Sequence, residues 1–75
     1  MFRLEVNTWR PNSYRNYTID VDCQNQYTLE EYCSQLAKLV EEHSYIHGKL
    51  HDVPHSRVMI PVSDIVDIKI TEVER

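Results

Sequence analysis

Residues 2–21 read FRLEVNTWRPNSYRNYTIDV, and the two alternating halves of this stretch decide the kind of fold the chain adopts. In the first half Phe2, Leu4 and Val6 alternate with Arg3, Glu5 and Asn7, the period-two pattern of a strand with one buried face. In the second half Tyr17, Ile19 and Val21 alternate with Thr18, Asp20 and Asp22. The segment between them carries Pro11, Asn12, Ser13 and Asn16, all turn formers, so the two strands are expected to form a hairpin.

Further along, Thr28-Leu29-Glu30-Glu31 has the form of a capping box, in which the threonine hydroxyl and the second glutamate satisfy amides at a helix start. The spacing predicts a helix from about Leu29 to His47, closed by Gly48 in a left-handed cap. At 100° per residue its inner arc gathers Leu29, Tyr32, Cys33, Leu36, Leu39 and Val40, with His43 and His47 beside them. After the loop LHDVPHS (residues 50–56), Arg57 to Val62 reads as a short strand, with Pro61 favouring a sheet edge or a turn. Val66, Ile68 and Ile70 alternate with Asp67, Lys69 and Thr71 as a last strand. The expected fold is therefore α+β: a small single domain over residues 1–75, in the order β-β-α-β-β, with one amphipathic helix packed on an antiparallel sheet. The order of the strands within the sheet stays open at this point.

Composition narrows the function. A 75-residue chain buries only about 60% of its unfolded surface, so a partner subunit or a bound metal would help it. The net charge of -4, with its basic residues scattered, disfavours general nucleic-acid binding, which needs clustered Lys and Arg. No apolar run approaches the ~18 residues of a membrane span, and the opening MFRLEVNTW alternates where a signal peptide would be uniformly apolar. A cytoplasmic protein is expected, with Cys23 and Cys33 as reduced thiols. The single glycine excludes glycine-rich phosphate loops and dinucleotide fingerprints, and catalysis is the least supported class.

Three groups of residues are candidates for a site. The hairpin connection interleaves aromatic and guanidinium groups at Trp9, Arg10, Tyr14, Arg15 and Tyr17, types enriched in binding hot spots. The plainer reading has Trp9 and Tyr17 covering the edge of a small core while the arginines solvate the turn. Glu30, Glu31, Glu41 and Glu42 form an acidic helix face, joined near the end by Asp64, Asp67, Glu72 and Glu74; this is either ordinary solvation or a charge row for a basic partner. His43, His47, His51 and His55 recur every four residues, so His43 and His47 on one helical turn, with His51 beyond, can supply zinc ligands. Against that, Ser44, Tyr45 and Ile46 hold no general base between the first two, and half-buried histidines closing a helix end explain the same spacing.

These features favour a small cytosolic, non-enzymatic binding and regulatory module that needs no cofactor, partners another protein and forms a homodimer through an uncovered sheet edge. The same compact acidic profile occurs among phage and mobile-element accessory proteins that inhibit host proteins by occupying their surfaces, an analogy of class only. The alternatives are a zinc or histidine site around His43, His47 and His51, and a dimer that sequesters a small anion with Arg10, Arg15 and Arg57.

Overall fold

A computed structural model describes residues 1–22, 27–53 and 55–73. Strands β1 (Phe2–Arg10) and β2 (Ser13–Val21) precede helix α1 (Leu29–Glu42). Strands β3 (Tyr45–Leu50) and β4 (Arg57–Pro61), a one-turn 3-10 helix (Val62–Asp64) and strand β5 (Ile65–Glu72) follow it. All pairings are antiparallel, and the five-stranded sheet has the order β4-β3-β2-β1-β5. The fold is the expected α+β domain of one helix on an antiparallel sheet, with one strand more than the sequence pattern announces.

The β1–β2 hairpin turns through Pro11 and Asn12 alone, with Arg10 opposite Ser13. Proline restricts the first turn position, and Asn12 takes the left-handed region at φ 70°, which asparagine tolerates better than most residues. The predicted alternation is obeyed: Phe2, Leu4, Val6 and Ile19 are buried, as are Ile46, Ile60 and Leu36. Six of these seven buried apolar side chains stand on strands and only Leu36 on the helix, so with each worth roughly 1.5–3 kcal/mol the sheet carries the core. The helix is a cover, steered by Tyr32 stacking on Phe2 with ring centroids 4.8 Å apart. Its start is as read: Thr28 accepts from the Glu31 amide, and the Glu31 carboxylate accepts from the Thr28 amide.

Its end is not. The helix stops at Glu42, His43 caps it in an extended conformation, and Tyr45–Leu50 is a strand where the periodicity predicted helix. Glu41 and Glu42 sit at the negative end of the helix dipole with no basic residue in the last turn, which disfavours continuation. Beyond it Ile46 and Gly48 point inward while Tyr45, His47 and Lys49 are exposed, a period of two. Gly48 is therefore no helix cap. A Cβ placed there would lie 2.4 Å from Ile19 Cγ2, so the missing side chain is what lets β3 approach β2. Ile19 is itself buried and its Cγ2 is fixed to a branched carbon, so little can give way.

In β5, Ile68 and Ile70 point inward opposite Val6 and Leu4, as expected, but a register shift at Asn7/Thr8 makes Val66 an extra, 62% exposed residue. The shift displaces Val66 from the alternation that its sequence position suggests. Pro61 ends the edge strand β4, where its missing N–H disrupts least.

Gly48→Ala is expected to lower unfolding free energy by about 1–3 kcal/mol, measured by denaturant titration. The loss should shrink in an Ile19→Ala background, since the two changes meet at one contact.

Candidate functional site

The hairpin splits its five candidate residues between two sides of the sheet. Trp9 and Tyr14 are direct cross-strand partners on the open side, the one the helix does not cover, and are 55% and 62% exposed. Arg15 and Tyr17 stand opposite Thr8 and Val6, whose side chains are buried on the helix-facing side. Tyr17 packs against the core, as the plainer reading expected of it; Trp9 does not. Below the aromatic pair, Asn16 donates to Asn7 at 2.5 Å and Asn7 donates to Asp67 at 2.6 Å, a polar ladder across β2, β1 and β5.

On the other side a cleft of about 430 Å³ opens between the hairpin tip and the end of β4. Thr8, Arg10, Ser13, Arg15 and Tyr17 form one wall, Met59, Ile60 and Pro61 the other, and Asp64 lies between them. Arg10 Nε donates to Asp64, and that hydrogen bond raises the guanidinium pKa above its ordinary value. Arg15 has no ion-pair partner among the described residues. The buried Thr8 hydroxyl is satisfied by donating to the Arg15 carbonyl at 3.3 Å. Arg57, the third arginine of the expected anion set, lies elsewhere, with Nη2 donating to His47 Nδ1 at 3.2 Å. A second, apolar groove of about 380 Å³ runs between helix and β3, where Leu36 and Leu39 face Ile46.

The histidine series does not converge. With the helix ended at Glu42, His43 is its exposed cap, His47 lies exposed on β3 and His51 follows that strand, so the shared helical turn behind the zinc reading is absent. Neither His43 nor His47 is half-buried as expected. Among the described residues no three His, Cys, Asp or Glu side chains are grouped to hold a metal. His51 instead reaches Asp20, its Nδ1 donating to Oδ2 at 2.6 Å, while Arg3 Nε donates to Oδ1 at 3.0 Å. This cluster joins β1, β2 and the segment after β3. Its members are 17 and 31 residues apart in sequence, and no local pattern announces them. Burial pushes the Asp20 carboxyl up, but the hydrogen bonds from His51 and Arg3, with their charges, outweigh it and hold the pKa below the ordinary carboxylate value.

Glu30, Glu31, Glu41 and Glu42 are exposed as expected, although Glu31 is committed to the capping box. Cys33 is a free, exposed thiol, displaced from the predicted inner arc; Cys23, like Glu74, lies outside the described residues. No helix of the described residues is long and apolar enough to cross a membrane. Comparisons with protein-family models, with curated proteins and with solved structures give no match.

Asp20 makes stability depend on pH with a definite sign. Its lowered folded pKa means that the stabilisation is complete above the unfolded carboxylate value of about 4 and is lost as pH falls through the folded value. Asp20→Asn is expected to melt below the wild type at about pH 5, by no more than about 1 kcal/mol, as for partly exposed ion pairs. Thermal melts repeated at successively lower pH should show that gap closing; a gap that widens would contradict the assignment.

Proposed function

We propose that this protein is a small non-enzymatic binding module that acts by occupying a surface of another protein with the open side of its hairpin tip. The observation that carries this reading is the Trp9–Tyr14 pair: two large aromatic side chains, directly opposed and each more than half exposed, that the core does not use. Aromatic residues supply much of the energy in protein interfaces when a partner pocket desolvates them, and a polar rim around them fixes register. Asn7, Asn16 and Asp67 stand in the rim position, and their mutual hydrogen bonds hold their side chains in place. A cross-strand aromatic pair also contributes to hairpin stability, but only about 0.2–1 kcal/mol, so the two roles are separable by magnitude. Inhibition of a host protein, of the kind small accessory proteins perform, is the form of regulation this mode of action suits.

The unpaired Arg15 supports a second reading, in which the cleft beside it takes a small anion. Of the expected arginine set, Arg15 would supply the free charge, Arg10 being held by Asp64 and Arg57 lying elsewhere.

Trp9→Ala and Tyr14→Ala are each expected to weaken capture of the partner by about thirtyfold or more, the mark of a hot spot, while unfolding free energy falls by about 1 kcal/mol or less. Quantitative affinity capture alongside denaturant titration checks both; retained capture with either variant would reject the site. In the second reading, native mass spectrometry of the chain purified without dialysis shows extra mass from an anion, and Arg15→Ala removes it. Bare mass in both proteins would reject that alternative.

A further inference from the structure

The two edges of the sheet are unlike. Strand β4 is five residues long, ends in a proline that cannot donate a hydrogen bond, and borders the cleft. Strand β5 is eight residues long, and among the described residues no strand covers its outer edge. Its inward-facing isoleucines are also unfinished. Val6 and Leu4 on β1 are buried, whereas Ile68 and Ile70 opposite them, and Ile65, remain only partly buried, with Val66 exposed beside them. A long edge strand that leaves apolar side chains in water is a template for another strand.

We propose that the missing strand is β5 of a second copy of this chain, paired antiparallel about a two-fold axis that sets Ile68 opposite its own counterpart. Two-fold antiparallel pairing requires that some residue face itself and that paired residues share a side of the sheet. Charge then selects the register. Centring on Asp67 or on Lys69 would oppose like charges, and centring on Ile70 would place Ile68 against Glu72. Centring on Ile68 puts each Asp67 opposite a Lys69, both exposed on the same side, while the bulge at Val66 ends the regular alternation beyond them. Glu72 would approach Asp64, which lies outside the strand and is already engaged by Arg10. A lone lysine on an edge strand repels a neighbouring strand; Asp67 two positions away turns it into a self-complementary pair. Neither Trp9 nor Tyr14 lies on this edge; Asp67 is the one residue shared with the hairpin surface, through its hydrogen bond from Asn7.

Sedimentation velocity of the full chain over a dilution series tests it. The wild type should be a dimer that dissociates on dilution. Lys69→Asp and Asp67→Lys should each weaken association at least about tenfold, because each opposes two pairs of like charges, with circular dichroism unchanged. An equimolar mixture of the two variants should restore a dimer, since aspartates at both positions then face lysines at both. A monomeric wild type at every concentration, a dimer indifferent to both substitutions, or a mixture that stays monomeric would each overturn the proposal.

Discussion

The structure depends on a narrow joint. Strand β3 pairs with β2 through only two residue pairs, Ile19–Leu50 and Asp20–Lys49, and everything beyond it, including β4, hangs from that contact. Several features concentrate there. Gly48 removes a side chain that would collide with Ile19, the His51 amide donates to the Thr18 carbonyl at 2.9 Å, and the His51 ring donates to Asp20. So short a pairing lets the β3–β4 hairpin diverge from β2 over Tyr45–Gly48, the part of β3 that precedes Lys49. The end of β4 comes to face the β1–β2 hairpin across a cleft instead of extending a flat sheet. Packing at the joint thus bears on the cleft, whose far wall of Met59, Ile60 and Pro61 belongs to the hairpin that hangs from it.

How much was legible in the sequence follows from how local each signal is. The first hairpin, the capping box at Thr28 and the inward faces of β1, β2 and most of β5 depend on neighbours a few residues away, and alternation or capping chemistry reveals them. The stretch Tyr45–Leu50 is ambiguous because His43 and His47 continue a four-residue spacing, Ile46 fits either period, and glycine is as natural after a helix as at a close strand contact. Glu41 and Glu42, unfavourable at a helix C-terminus, were the available sign that the helix stops there. The displacement of Val66 depends on a register shift against β1, which no local pattern reveals.

The site divides the same way. The residue types of Trp9, Arg10, Tyr14, Arg15 and Tyr17 marked the hairpin as a candidate, but their sorting onto two sides required the register. That register was within reach: a two-residue turn at Pro11 and Asn12 sets Arg10 against Ser13 and hence Trp9 against Tyr14. The cluster of Arg3, Asp20 and His51 was out of reach, because it exists only once β3 has been recognised as a strand. The histidine repeat shows the converse hazard, a regular spacing that loses its meaning when the element carrying it changes type.

Physically, the hairpin is a two-sided device. Its inner half supplies core residues that fix the tip in space, while the outer half holds an aromatic pair whose exposure nothing in the domain requires. Rigid support under exposed aromatic surface limits the entropy lost on association. Because Trp9 is the sole tryptophan, its environment can be observed directly. The decisive measurement is a fluorine NMR titration of the chain carrying fluorotryptophan at that position. The free protein should give a resonance sensitive to solvent isotope, and adding the captured partner should shift or broaden it as that sensitivity disappears. A resonance that keeps its position, width and solvent sensitivity while the partner is bound would place the interface elsewhere and contradict the account.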